Sequence, residues 1–206
     1  PIVMDVDVGF GGPTQVAKIV REYIRNGVAG IRIEDGIVRY LRDKVQGGVH
    51  DEVTSAEEMV LKVEAASDAR NELDPDFLII ARSDCHFAEG YRGVEEVIER
   101  AKAYNKAGAD VLFTTSAVKA QGDVKEHIRT VVQGVAPMPV SIPGNGMDVD
   151  EGAELGVAEI RYPYELLRAM HSAGWDHIVD IKNRGVQAIN EWRERNKDNP
   201  YRANQV

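Results

Sequence analysis

Two carboxylates and a glycine-rich turn follow the first apolar segment of the chain, in the order Asp5-Val6-Asp7-Val8-Gly9-Phe10-Gly11-Gly12. Residues two apart on a strand point to the same side, so Asp5 and Asp7 present oxygen ligands together. Paired carboxylates at a strand exit suit a hard divalent cation such as magnesium, which takes its other ligands from water and substrate. The alternative is a solvated strand end whose aspartates cap the next helix.

Charged residues also end the next two apolar segments. Glu34-Asp35 follow the second segment, and Arg82-Ser83-Asp84 follow the third. A metal and an arginine at neighbouring strand ends can hold an anionic substrate between them. Two alternatives remain open: Glu34-Asp35 as a helix N-cap, and Arg82 as the ion-pair partner of Glu34 or Asp84. The second is compatible with substrate binding.

Composition limits the class of protein and its partners. The chain has 206 residues with 43% hydrophobic content, enough for the core of a single domain over residues 1–206. The net charge of -9 and the absence of a basic stretch argue against a nucleic-acid partner. No apolar run approaches the roughly 20 residues of a membrane span, so no membrane partner is expected. The single cysteine, Cys85, excludes an internal disulfide and indicates a reducing, cytoplasmic location.

Short apolar segments alternate with amphipathic ones along the whole chain, which predicts parallel strands joined by helical crossovers. Strands are predicted at Ile2–Asp5, Ala29–Ile33, Phe77–Ala81, Val111–Thr114, Met138–Ile142 and Ala158–Tyr162. Helices are predicted at Pro13–Asn26, Ser55–Asn71, Gly93–Lys106, Asp123–Gln133 and Asp148–Leu155, with a C-terminal helical region from about residue 164 to residue 196.

The number of strand–helix units favours one α/β architecture. Six units are predicted, whereas a closed parallel (β/α)8 TIM-type barrel has eight. A start at Pro1 without methionine, with the carboxylate pair already on the first strand, favours a barrel whose first two βα units are absent from this chain. The competing interpretation is an open doubly wound sheet. Gly9-Phe10-Gly11-Gly12 lacks the third glycine of the dinucleotide fingerprint.

Three motifs together resemble the isocitrate lyase/phosphoenolpyruvate mutase superfamily. They are Asp-x-Asp-x-Gly-Phe-Gly at residues 5–11, Gly-Val-Ala-Gly-Ile-Arg-Ile-Glu-Asp at residues 27–35, and Ile-Ala-Arg-Ser-Asp at residues 80–84. The resemblance extends through about Pro163. It implies a (β/α)8 barrel, usually a homotetramer, that binds magnesium (or manganese) and acts on small oxo or hydroxy acids through an enolate.

The same resemblance implies roles for individual residues. Asp5 and Asp7 are similar to the family's metal carboxylates, and Glu34 holds the ion directly or through water. Arg82 resembles the arginine that pairs with a substrate carboxylate, and Asp5 lies beside the substrate as well as the metal.

The segment after Glu34-Asp35 departs from the family. Cleaving members carry a loop there with the motif Lys-Lys/Arg-Cys-Gly-His, whose cysteine is an acid/base. Residues 36–52 are longer than that loop and contain no cysteine. Lys44 and His50 are the candidate catalytic residues that restore a lysine and a histidine, with Gly47-Gly48 as a flexible element. The alternative is a solvated loop without a catalytic role.

These observations leave three functional hypotheses. The first is a magnesium-dependent lyase that cleaves a carbon–carbon bond of a small 2-hydroxy di- or tricarboxylate, of the isocitrate or methylisocitrate type. The second is a cysteine-independent branch: an oxaloacetate decarboxylase or hydrolase, or a phosphonopyruvate/phosphoenolpyruvate mutase-type enzyme. The third is a non-catalytic barrel that serves as a binding or assembly module.

Overall fold

The computed structural model describes residues 1–37, 52–120, 122–144 and 147–199. Strands and helices alternate along the chain, and short 3-10 turns follow the third and fourth strands at Cys85–Phe87 and Ser116–Lys119. In chain order the elements are β1 Val3–Asp5, α1 Pro13–Arg25, β2 Gly30–Glu34, α2 Ala56–Leu73, β3 Leu78–Ser83, α3 Val94–Lys106, β4 Val111–Thr114, α4 Val124–Val135, β5 Val140–Pro143, α5 Val149–Glu154, β6 Glu159–Arg161, α6 Glu165–Arg184 and α7 Val186–Arg195.

The six strands form one parallel sheet in the order β1-β2-β3-β4-β5-β6. Each strand therefore pairs with the next one along the chain, as in a parallel barrel. The sheet is a six-stranded half-barrel, which confirms the predicted α/β class and the predicted strand order. The predicted strands overlap all six observed ones, with ends displaced by one or two residues.

Helices α1 to α4 pack on one face of this sheet, because alternate strand residues on that face are apolar. Ile31 and Ile33 of β2 are fully buried there, as are Ile79 and Ala81 of β3. The helices contribute the other side of the core: Val16, Val20, Met59, Val63, Ala66, Val97, Ala101, Ile128 and Val131.

Local signals set the helix ends. Helix α1 begins with Pro13 at its first position, where the missing N–H costs nothing. Ser55 caps α2, since its side-chain oxygen accepts from the Glu58 N–H. Asp148 and Glu151 form a complete capping box at α5.

The chain divides into two compact units, Pro1–Arg161 and Tyr162–Val206. The second unit contains α6 and α7, so the predicted C-terminal helical region is two helices that meet at Gly185, whose φ is +62°. A single domain over residues 1–206 stays a prediction. Within the described part of the chain, no helix has the length and apolar character needed to cross a membrane.

Candidate functional site

The face of the sheet opposite α1 to α4, here called the inner face, carries mainly polar side chains. Register places Asp5 beside Arg32 and Glu34 beside Arg82 on neighbouring strands. The strand alternation that buries apolar residues on the helix side thus brings three predicted site residues to one face. Its polar and aromatic residues are Asp5, Arg32, Glu34, Arg82, Phe113, Ser141, Glu159 and Arg161, and the same alternation places Val3, Ile80 and Val111 there as well.

The turn after β1 is held tightly against β2. The Asp7 N–H donates to Asp5 Oδ1 at 3.1 Å, and the Glu34 N–H donates to the Asp7 carbonyl at 2.9 Å. Asp7 itself has a left-handed φ of 45°, a region that aspartate tolerates better than most residues. Gly9 has a φ of +93°, and a Cβ there would lie 2.6 Å from Val16 Cγ2. Only glycine fits this position, so the turn is fixed by packing.

Lys62 of α2 supports the same turn from the helix side. Its side chain is buried, and Nζ donates to the Val8 carbonyl at 3.1 Å. A cavity of about 360 Å³ lies beside it, lined by Val8, Phe10, Gly11, Gly36, Ile37, Thr54, Glu58 and Lys62. Lys62 could not be singled out from the sequence, because it lies within an ordinary amphipathic helix pattern.

The predicted metal carboxylates do not form a ready metal site. Asp5 is half-exposed and is paired with the Arg32 guanidinium. Glu34 is buried and paired with Arg82, with 3.1 Å between Glu34 Oε2 and Arg82 Nη1. Among the described residues, no three His, Cys, Asp or Glu side chains are grouped so that they could hold a metal ion. Asp5 and Glu34 are thus engaged in ion pairs, and the metal roles of Asp5, Asp7 and Glu34 stay predictions.

Arg82 lies between two buried carboxylates. Its Nε and Nη2 lie 3.0 Å and 2.8 Å from the two oxygens of Asp84, and Nη1 faces Glu34. Burial works against the charge on Arg82, but Asp84 and Glu34 outweigh it and raise its pKa. Burial raises the pKa of Asp84 to about 6, although Arg82 opposes this shift. The predicted ion-pair alternative for Arg82 is therefore present with both carboxylates, and the guanidinium is fixed in orientation.

Asp35 anchors the strand end that carries Asp84. Its carboxylate is fully buried and accepts from the Asp84 N–H at 2.8 Å and the Ser83 hydroxyl at 2.7 Å. From α3, the Tyr104 hydroxyl donates to Asp35 Oδ2 at 2.7 Å, and Arg100 Nη1 lies 3.3 Å from the same oxygen. Asp35 is thus a structural hub and not the helix N-cap considered as an alternative.

Cys85 and His86 follow Arg82 but are both withdrawn from solvent. Cys85 is buried, and burial raises the pKa of its thiol to about 12, so the thiol stays protonated near neutral pH. Burial also lowers the pKa of His86 to about 3, and Arg82 adds to this effect. His86 Nε2 lies 2.8 Å from Thr115 Oγ1. A neutral, enclosed imidazole of this kind does not exchange protons near neutral pH.

The two catalytic candidates, Lys44 and His50, lie outside the described residues, so their roles stay predictions. Three inner-face residues escaped the sequence analysis: Arg32, Phe113 and Arg161. Arg32 and Arg161 each lie in a short alternating strand segment, where a basic residue suggests a solvent-facing position. Phe113 belongs to an apolar run that suggests core.

Comparisons with known proteins identify the family to which this chain belongs. A family model described as phosphoenolpyruvate phosphomutase matches residues 1–182. The chain is 33% identical over 191 residues to 2-methylisocitrate lyase of Shewanella oneidensis, covering 91% of the chain and 61% of that protein. It is 43% identical over 116 residues to 2,3-dimethylmalate lyase of Eubacterium barkeri, covering 56% of the chain and 37% of that protein.

A solved structure matches as well. Oxaloacetate acetylhydrolase in complex with the product oxalate superposes with a TM-score of 0.73 and 31% identity, over 90% of this chain and 61% of that one. The chain thus spans 61% or less of the length of these three proteins. The six-stranded half-barrel of this chain therefore has the same fold as the matching part of a solved enzyme structure.

Proposed function

Because the chain belongs to the phosphoenolpyruvate phosphomutase family, as its motifs predicted, we propose that it cleaves a carbon–carbon bond of a small 2-hydroxy di- or tricarboxylate. The lyase names of its relatives from Shewanella oneidensis and Eubacterium barkeri support this reaction class. The observation that carries the proposal is the fixed, buried Arg82 on the inner face, at the carboxyl end of β3.

In the proposed reaction a base takes the proton from the substrate hydroxyl, and a carbonyl forms as the neighbouring carbon–carbon bond breaks. The electron pair of that bond remains on the departing fragment as an enolate, which an acid then protonates. Arg82 binds a carboxylate of that fragment and stabilises its developing negative charge, an effect of several kcal/mol in comparable sites. Lys44 and His50 are the proposed acid and base.

Magnesium is the proposed cofactor, with Asp5, Asp7 and Glu34 as its proposed ligands. Their oxygen chemistry supports the proposal, while the ion pairs of Asp5 with Arg32 and of Glu34 with Arg82 oppose it, because a cation would have to displace both guanidinium groups. Thermal unfolding with and without magnesium tests it: a rise in Tm that Asp5→Asn removes is expected. An unchanged Tm, with no heat of binding in calorimetry, would contradict the site.

A second candidate function is hydrolysis or decarboxylation of oxaloacetate. The match to oxaloacetate acetylhydrolase favours it, and so does the lack of a cysteine in residues 36–52. A mutase acting on phosphonopyruvate remains a further alternative within the family named by the matching model.

One substrate panel separates these reactions. The purified protein is assayed with isocitrate, methylisocitrate, oxaloacetate and phosphonopyruvate, together with Lys44→Ala and His50→Ala. Lys106→Ala, at an exposed position on α3, is the matched control. Glyoxylate or pyruvate released from the hydroxy acids, and lost in either variant but not in the control, supports the lyase. Turnover of oxaloacetate alone, unchanged in both variants, supports the second candidate. Binding without any turnover supports the non-catalytic module.

A homotetramer is also part of the proposal. Helix α6 exposes large apolar side chains, which include Leu166, Met170, Trp175 and Ile178. Exposed apolar surface of this kind is typical of protein–protein contacts. Light scattering in solution measures the assembly directly, and a monomeric mass would contradict it.

A further inference from the structure

Three guanidinium groups surround a single aromatic ring on the inner face. The central guanidinium carbons of Arg32, Arg161 and Arg82 lie 5.1, 5.2 and 5.6 Å from the Phe113 ring centroid. Phe113 is the direct register neighbour of Arg82 and is almost fully buried. All four residues belong to the unit Pro1–Arg161. Cation–π contact therefore holds three positive charges close together around one ring on the inner face.

Two of these arginines keep unused hydrogen-bond donors. Arg32 pairs with Asp5 through Nη2, while its buried Nε has no partner in the described part of the chain. Arg161 donates from Nε to Glu159 Oε2 at 2.9 Å, and that oxygen also accepts from the Ser141 hydroxyl at 2.7 Å. Among the described residues, neither terminal amino group of Arg161 has a hydrogen-bond partner.

A buried donor without an acceptor is costly to the folded protein, so the Nε of Arg32 calls for an acceptor from a ligand. Carboxylates match guanidinium groups in charge and in geometry, since their two oxygens accept parallel N–H donors. Arg82 is oriented by its contacts with Asp84 and Glu34. Arg161 presents both of its terminal amino groups without a partner among the described residues.

We propose that Arg32 and Arg161, on either side of Phe113, bind the second and third carboxylates of a di- or tricarboxylate whose first carboxylate binds Arg82. This inference rests on the proposed function and deepens it by naming the substrate class and the residues that select it. Neither arginine takes part in bond cleavage. They determine specificity, because a monocarboxylate leaves their donors unpaired.

Binding of unreactive carboxylates tests the proposal without any turnover. Isothermal titration calorimetry measures the Kd of tricarballylate, succinate and acetate for the wild-type protein and for Arg161→Gln, Arg32→Gln and Arg161→Lys. Arg129→Gln is the matched control, since it removes a half-exposed arginine of α4 that pairs, within the described residues, with Glu126. Thermal unfolding of each variant shows that it is folded, and all titrations are repeated with and without magnesium.

The expected result is a loss of affinity that depends on the number of carboxylates. Arg161→Gln and Arg32→Gln each weaken tricarballylate about ten- to a hundredfold, the effect of losing a charge-assisted contact. Acetate affinity stays within about twofold, because Arg82 still holds a single carboxylate. Arg161→Lys recovers part of the loss, and Arg129→Gln changes neither affinity.

Wild-type affinity for tricarballylate in both glutamine variants would overturn the proposal, and so would failure of the wild-type protein to prefer tricarballylate over acetate. The outcome is separable from that of the proposed lyase reaction. If the protein cleaves no hydroxy acid but the variants lose tricarballylate, the carboxylate site stands and the lyase proposal fails. If the protein cleaves a hydroxy acid but the variants bind tricarballylate normally, the lyase proposal stands and the carboxylate site fails.

Discussion

Replacing Tyr104 with phenylalanine removes one hydroxyl from the buried network around Asp35 and leaves the aromatic ring in place. That hydroxyl donates to Asp35 Oδ2 at 2.7 Å and accepts from Arg100 Nη1 at 3.2 Å. Both Asp35 and Tyr104 are fully buried, so water does not replace the lost contact. A hydrogen bond to a charged group contributes about 1.5–3 kcal/mol, and we expect the free energy of unfolding to fall by about 2 kcal/mol.

Tyr91→Phe is the matched control, because the Tyr91 hydroxyl is buried and has no hydrogen-bond partner in the described part of the chain. Removing a polar group that is already unpaired costs nothing and relieves a desolvation penalty. We expect the stability to stay constant or to rise by about 1 kcal/mol. The two substitutions delete the same hydroxyl, which is hydrogen-bonded in Tyr104 and unpaired in Tyr91.

Urea unfolding followed by far-ultraviolet circular dichroism measures the free energy of unfolding of both variants, and thermal unfolding gives their Tm. For a chain of this length, about 2 kcal/mol corresponds to a fall in Tm of roughly 4–8 °C. Asp35→Asn extends the test to a double-mutant cycle, in which Tyr104→Phe should cost at least about 1 kcal/mol less in the Asp35→Asn background. Equal stabilities of Tyr104→Phe and Tyr91→Phe would refute the assignment of Asp35 as a hub.

Three further predictions concern the strand end after β3. Arg82→Lys should lower kcat/KM at least about a hundredfold while the protein stays folded. The reason is that a lysine cannot contact Glu34 and both oxygens of Asp84 at once. Near-normal turnover would show that Arg82 has only a structural role. The pKa of His86 is lowered from 6.5 to about 3, so its neutral form stabilises the protein above pH 6.5. Relative to His86→Gln, with the exposed His171→Gln as control, the wild-type protein should lose about 1.4 kcal/mol per pH unit as the pH falls below 6.5. The pKa of Asp84 is raised from 3.8 to about 6, so its effect on stability has the opposite pH dependence. Relative to Asp84→Asn, the wild-type protein should gain stability as the pH falls through 6 towards 3.8. Parallel pH profiles of the two proteins would contradict the shift.

The architecture was predictable because it depends on periodicity. All six strands and the helices of the first unit follow from apolar segments whose spacing changes from 2 to 3.6 residues, and local caps such as Ser55 fix where helices begin. The parallel order follows because every strand is followed by a helix. The exact strand ends are less predictable, since residues such as Arg82 and Ser83 extend β3 by hydrogen bonds to β4 and not by their own propensity.

The site was only partly predictable, because contact between distant residues leaves little trace in local pattern. The shared face of Asp5, Glu34 and Arg82 follows from alternation within each strand. The guanidinium cluster around Phe113 does not, because it depends on how β2, β4 and β6 are staggered against each other. The network of Asp35 likewise joins β2 to α3 across more than sixty residues of chain.

The energetics of the two sheet faces support the proposal that the inner face binds the substrate. Burying an ion pair costs desolvation that its attraction often fails to recover, so apolar packing of similar volume would hold the sheet at least as well. The helix side uses that solution, with Ile31, Ile33 and Ile79 fully buried. The inner face instead holds Glu34, Arg82 and Asp84 in low-dielectric surroundings. Stability does not require this arrangement. The proposed binding of a substrate carboxylate by Arg82 does require it, because the guanidinium must be oriented before the substrate arrives.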